Sequence, residues 1–252
     1  MQQFRPQGFK MLPPVIKNLL IINGLFYLLT IVLGSTFNIN LVKYLGLHYP
    51  LSNDFGVWQL VTYMFMHDTH GFAHILFNMF ALWMFGNTLE NVWGSKRFLN
   101  YYLITGIGAG VVQIIVAWIR ISSVEANLHA EQIAMVIQNG TELLNSGRNY
   151  TDIGMGNLNL LINTSTVGAS GAVFGILLAF GMMFPNSIIY VYFAIPVKAK
   201  FFVLIYGAIE VYMGFANSTG DNVAHFAHLG GMIFGFFLIM YWKKKGDLNS
   251  YN

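Results

Sequence analysis

The sequence predicts an all-α, polytopic membrane protein with six transmembrane helices. Of its 252 residues, 56% are hydrophobic and only 9% are charged, whereas an average soluble domain has roughly 25% charged residues. So few charged side chains cannot cover a surface that faces water, and we therefore expect lipid to surround this chain. The apolar runs are continuous rather than alternating, which favours helices over a membrane β-barrel.

Six apolar stretches are the candidate spans. They cover residues 18–37, 74–89, 98–119, 166–184, 201–215 and 225–242. The second, fourth and fifth are somewhat short of the ~20 residues that a spanning helix needs. The first follows basic residues, as a secretory signal does, but because five more spans come after it we interpret it as a retained helix.

Basic residues in the connecting segments predict the orientation. With the N-terminus in the cytoplasm, ten of the thirteen Lys and Arg residues lie on inner segments, in agreement with the positive-inside rule. We therefore expect cytoplasmic segments at 1–17 and 246–252 on either side of a membrane domain at 18–245. The compact form of the chain favours the plasma membrane of a bacterium, that is, the inner membrane.

Two of the outer connections are long. Segment 38–73 mixes apolar and aromatic residues with polar ones, so we expect it to lie in the membrane interface. Segment 120–163 is polar and rich in asparagine. We expect it to be a long outer insertion with an amphipathic helix around 123–145, and its function stays open.

Ser170 is the first candidate for catalysis. It lies near the start of the fourth stretch between small residues, in the motif Gly168-Ala169-Ser170-Gly171. The N-terminus of a helix supplies N–H groups and a partial positive charge, which suit a developing oxyanion. Gly171 and Gly175 leave a smooth stripe for a neighbouring helix. On its own, this motif is more often a capping serine with a packing stripe.

His228 is the second candidate. His228, Gly231 and Gly235 follow the spacing i, i+3, i+7, so one face of the last helix carries an imidazole beside a glycine groove. If that face packs against the glycine stripe of the fourth helix, His228 approaches Ser170. A neutral imidazole can then take up the serine proton. The alternative is a structural histidine that is hydrogen-bonded within the bundle.

Two further polar side chains, His74 and Asn78, share one face of the second helix. Donors that point at an oxyanion are worth about 3–4 kcal/mol each. The alternative is an interhelical pair that holds the bundle together, worth ~0.6 kcal/mol per bond. Glu210 in the fifth stretch could approach His228, but we favour another role for it, either an interhelical contact or an influence on gating. We therefore expect a catalytic mechanism without a carboxylate.

Other catalytic chemistries find no support in the sequence. It contains no cysteine and no HExxH pair, so thiolate catalysis and the zinc-protease motif are excluded. We predict no metal and no cofactor.

Taken together, the motifs resemble those of the rhomboid family of intramembrane serine proteases. The match consists of GxSG at the start of a helix, HxxxN on an earlier helix and AHxxG on the last helix, and the resemblance extends over about residues 15–245. It implies a six-helix bundle and a serine endopeptidase that cuts single-pass membrane proteins near the outer face. Such substrates and the lipid bilayer are the expected partners, nucleic acid is not, and the oligomeric state stays open.

Residue by residue, the resemblance implies that Ser170 is the nucleophile and His228 the base. The oxyanion and substrate-binding groups that it implies are His74, Asn78, Gly168 and Ala169. It also implies that Phe174, where some members have tyrosine, stacks on His228. Segment 216–223 matches the flexible cap over the site.

Two other functions stay open. One is a catalytically silent rhomboid-like protein that binds or chaperones membrane proteins. The joint presence of four polar side chains argues against it: Ser170, His228, His74 and Asn78. The other is a small proton-coupled transporter, which predicts broken helices or repeat symmetry. The sequence shows neither pattern.

Overall fold

The fold is described from a computed structural model, which covers residues 10–69, 71–191, 194–216, 224–246 and 248. Helices dominate this part of the chain. They are α1 (Pro14–Phe37), α2 (Leu41–Leu45), α3 (Gln59–Thr62), a 3₁₀ turn (Tyr63–Phe65), α4 (Phe72–Trp93), α5 (Ser95–Glu125), α6 (Ala130–Asn145), α7 (Ile153–Asn163), α8 (Ser170–Met183), α9 (Ala199–Ala216) and α10 (His225–Lys244). Strands β1 (Ile188–Val191) and β2 (Ile195–Lys198) form an antiparallel hairpin between α8 and α9.

Among the described residues, five helices are long and apolar enough to cross a membrane: α1, α4, α5, α9 and α10. The all-α, multi-pass membrane fold is thus confirmed, but the count of six spans is not. The fourth predicted stretch forms α8, which has only 14 residues and is therefore about 21 Å long, against a hydrocarbon core of about 30 Å. It is shorter because residues 166–169 are not helical.

Helix α8 lies at the centre of the bundle, where it packs against α4, α5, α9 and α10. Nine of its 14 residues are buried. The glycines that were predicted to pack α8 against α10 do not all contact these two helices. Gly231 on α10 lies directly against the backbone of Gly171, whereas Gly175 and Gly235 face Thr105 and Tyr101 of α5. The predicted contact between α8 and α10 therefore involves three helices, because α5 packs against both of them. We call the place where α5, α8 and α10 meet the seam.

Segment 38–65 is hydrogen-bonded to residues 166–168, which lead into α8. Leu47 and Thr166 exchange two backbone hydrogen bonds of 2.9 and 2.8 Å, and the N–H of Gly168 donates to the carbonyl of Tyr63 at 3.0 Å. Thr62 and Tyr63 also bond the carbonyls of Leu45 and Gly106. This segment is therefore a folded part of the bundle that positions residues 166–168.

The insertion predicted at 120–163 is mostly helical. Helix α5 extends to Glu125, and α6 and α7 follow as a hairpin, with α7 capped by Asp152, which accepts from the N–H of Met155 at 2.8 Å. The predicted amphipathic helix begins at Ala130 rather than near residue 123, because α5 continues to Glu125. Helix α7 and the β1–β2 hairpin were not predicted. The predicted cap at 216–223 lies outside the described residues except for Ala216.

Candidate active site

Ser170 is the first residue of α8, and its side chain is half-buried. Gly168, two residues earlier, has a φ of +131°, a backbone conformation that side chains with a Cβ rarely adopt. A Cβ at this position would lie 3.1 Å from Nε2 of His74 and 3.4 Å from Oγ of Ser170. Glycine therefore permits the turn into α8 and keeps the space between these two polar atoms open.

His228 lies in the first turn of α10 and is 8% exposed. Its Nε2 is 2.8 Å from Oγ of Ser170, within hydrogen-bonding distance. A Cβ at Gly231 would overlap the carbonyl group of Gly171, so glycine is what allows the two backbones to approach this closely. The structure therefore brings together the two side chains that the sequence pairs.

Phe174 lies one turn after Ser170 and stacks on the imidazole of His228. The ring centroids are 4.1 Å apart and the ring planes differ by 7°. This contact agrees with the position expected from the resemblance. It covers one face of the imidazole and limits its rotation.

Glu210 is the side chain beside His228 that the sequence did not favour. It projects from α9, is 7% exposed, and its Oε2 accepts from Nδ1 of His228 at 2.9 Å and from Nδ1 of His225 at 2.6 Å. The favoured interhelical contact of Glu210 is therefore present, but the expectation that no carboxylate lies beside His228 is wrong. The sequence does contain a signal for this contact. Charged side chains are rare in membrane spans and are usually paired, and the next helix begins with two histidines that could be the partners.

His74 and Asn78 differ in what they face. Nδ1 of His74 accepts from the N–H of Asp68 at 3.3 Å, which leaves the proton on Nε2, the nitrogen beside Gly168. Asn78 is buried, and its amide donates to the carbonyl of His74 at 2.9 Å, within its own helix. His74 is thus placed to donate near Ser170, whereas the observed bond of Asn78 is local.

The remaining neighbours are apolar or neutral. Gly168 and Ala169 are both buried, and their predicted role toward a substrate stays a prediction. The ring of His67 lies 5.2 Å from that of His74. Burial, together with His74, lowers the pKa of His67 to about 4, so this ring is neutral at physiological pH.

Comparisons with known proteins point to one family. The Rhomboid domain family model matches residues 54–122 and 130–245. The chain is 27% identical to the rhomboid protease GluP of Bacillus subtilis over 219 residues, which cover 84% of this chain and 31% of GluP. It is 28% identical to the putative rhomboid protease YdcA of the same organism over 183 residues, 72% of this chain and 65% of YdcA. It is 29% identical to an uncharacterized mitochondrial rhomboid protein of Schizosaccharomyces pombe over 216 residues, 75% of this chain and 52% of that protein. The chain thus spans between about a third and two thirds of the length of these relatives.

Proposed function

Because the chain belongs to the rhomboid family, we propose that it is an intramembrane serine endopeptidase with Ser170 as nucleophile and His228 as general base. The observation that carries this proposal is the 2.8 Å approach of the Ser170 Oγ to the His228 Nε2 at the start of a buried helix. The relative GluP is named a rhomboid protease and YdcA a putative rhomboid protease, and both names support the same activity.

The proposed reaction begins with proton transfer from Ser170. Its Oγ attacks the carbonyl carbon of the substrate while Nε2 of His228 takes up the hydroxyl proton. The oxygen of the tetrahedral intermediate is stabilised by Nε2–H of His74 and by N–H groups at the start of α8. His228 then returns the proton to the leaving amine, and water hydrolyses the acyl-enzyme by the same steps.

Glu210 is a positioning residue in this scheme. A carboxylate that accepts from Nδ1 keeps the proton on that nitrogen and leaves Nε2 with the lone pair that Ser170 requires. It also stabilises the imidazolium that forms when Nε2 is protonated. The second bond, from His225, holds the same carboxylate oxygen in place.

The substrates we propose are single-pass membrane proteins. Because α8 is about 21 Å long and the hydrocarbon core is about 30 Å thick, α8 is too short to reach both surfaces, and we propose that its N-terminal end with Ser170 lies below the membrane surface. Gly168 and Ala169 offer little side-chain bulk beside the nucleophile, which leaves room for a substrate backbone. The resemblance to the family implies small residues at the cut. The distribution of basic residues supports cytoplasmic termini, and a bacterial plasma membrane is the proposed location.

A fluorophosphonate probe tests the proposal on the purified protein in detergent. The wild type is expected to be labelled and Ser170→Ala is not, while Ser165→Ala, a serine outside the site, keeps full labelling. A transmembrane substrate should be cleaved with the same dependence on Ser170. A folded wild type that neither reacts with the probe nor cleaves any transmembrane substrate would contradict the assignment, as would labelling that survives Ser170→Ala.

A further inference from the structure

We propose that Glu210, His225 and His228 bind a zinc ion, and that its binding switches the enzyme off. This inference rests on the proposed function for its inhibitory consequence, although binding itself does not depend on it. Each of the three residues offers one ligand atom, and the three atoms lie within 4.8 Å of one another. Two imidazole nitrogens and a carboxylate are a donor set that zinc binds in proteins, with water in the fourth position.

The present distances are close to those that a metal requires. Oε2 of Glu210 lies 2.6 and 2.9 Å from the two Nδ1 atoms, which are hydrogen-bonding distances. Ligand atoms around a zinc ion, each about 2.0–2.2 Å from it, are about 3.3 Å apart. Each of these two oxygen–nitrogen distances therefore has to lengthen by less than about 1 Å to admit the ion.

The environment of the three side chains favours an ion that stays bound. Their exposed fractions are 11% for His225, 9% for Glu210 and 10% for His228, so little water competes for the ligand atoms. A histidine that binds a metal through one nitrogen usually donates a hydrogen bond from the other. Ser170 is placed to accept that bond from His228 at 2.8 Å.

Inhibition follows from the tautomer of His228. With Glu210 alone, the proton is on Nδ1 and Nε2 accepts from the Ser170 hydroxyl. A metal on Nδ1 requires that nitrogen to be deprotonated, so the single proton of the neutral ring moves to Nε2. Nε2–H then donates to Ser170 and cannot take up its proton. The same three ligand atoms thus select the active ring form without the ion and the inactive form with it.

The first measurement is metal binding, which requires no activity. Calorimetric titration of the EDTA-washed protein in detergent with Zn²⁺ is expected to show one site per chain, with no heat from Mg²⁺, which prefers oxygen ligands. His225→Asn and Glu210→Gln should each weaken this binding by at least about tenfold. His129→Asn, which changes an exposed histidine at the start of α6, is the matched control and should bind as the wild type does.

The second measurement is the rate of fluorophosphonate labelling. Saturating Zn²⁺ should slow the wild type by about tenfold or more, and EDTA should restore it, while His225→Asn should lose this sensitivity relative to its own rate in EDTA. Absence of a stoichiometric site, or equal sensitivity of His225→Asn and His129→Asn, overturns the inference. The protease assignment is tested separately by labelling in EDTA, so the two failures are distinguishable.

Discussion

The seam around α8 and the α6–α7 hairpin hold their helices together in different ways. At the seam, glycines bring backbones into contact, as Gly231 does against Gly171. The hairpin instead packs through a separate cluster of branched and long apolar side chains: Ile121, Val136, Met155, Leu158 and Ile162. One region depends on close backbone approach and the other on side-chain volume.

This difference decides where small changes reach the reactive atoms. Side chains such as Leu158 can adjust their rotamers when a neighbour changes, so a disturbance of the hairpin stays local. A backbone contact has no such freedom, because an added methyl group must move a whole helix. Since Ser170 and His228 begin the two helices in contact, any separation at Gly231 lengthens their hydrogen bond.

The largest effect is expected from Glu210→Gln. The amide cannot hold the proton on Nδ1 of His228 as a carboxylate does, so we expect kcat for a transmembrane substrate to fall by about 10²–10⁴-fold with little change in KM. A purely structural role would not separate kcat from KM in this way. Glu210→Asp, which keeps the charge on a shorter chain, should restore part of the rate. If Gln and Glu enzymes have equal kcat, the positioning role is excluded.

An intermediate effect is expected from Gly231→Ala. The new Cβ overlaps the carbonyl of Gly171, so we expect a loss of about 1–3 kcal/mol in stability together with slower fluorophosphonate labelling. Gly34→Ala is the matched control, because no atom lies within 4 Å of its added Cβ, and it should keep its melting temperature or raise it. Thermal melts and labelling of both variants side by side give the answer. Equal behaviour would show that the seam is not tightly packed.

The smallest effect on activity is expected from Leu158→Ala. Leu158 is fully buried in the hairpin cluster, so its truncation should cost the hairpin about 2–5 kcal/mol and increase its hydrogen exchange. Labelling of Ser170 should stay within about twofold of the wild type, because the hairpin has its own core. A parallel loss of labelling would show that the two regions are coupled and would remove the contrast drawn between them.

Local patterns predicted the parts of the site that depend on one helix. The motif around Ser170 and the glycine spacing after His228 each lie within two turns of a helix, and helical periodicity places such residues on one face. The position of Phe174 was implied by the resemblance to the family. Glu210 could not be placed in the same way, because its contact with His228 depends on the rotation of α9 about its axis. A pattern also cannot show whether the Asn78 amide bonds its own helix or a substrate.

In the rest of the fold, too, features set by the local sequence were predicted and contacts between elements were not. Long apolar runs predicted α1, α4, α5, α9 and α10, since the bilayer imposes helix length and composition. The role of α5 in the seam was not predicted, because a small-residue face does not identify its partner. Helix α7 and the β1–β2 hairpin are short and gave no periodic signal long enough to recognise.

Phe174 lies flat against the His228 imidazole while Ser170 and Glu210 each hold one of its nitrogens. A half-turn of the ring would break both hydrogen bonds at once and push the ring edge into Phe174. Rotation of the imidazole ring therefore does not transfer a proton from Ser170 to Glu210. In the proposed reaction, each proton that arrives on Nε2 therefore has to leave from Nε2, and the amine of the severed peptide bond is the group that accepts it.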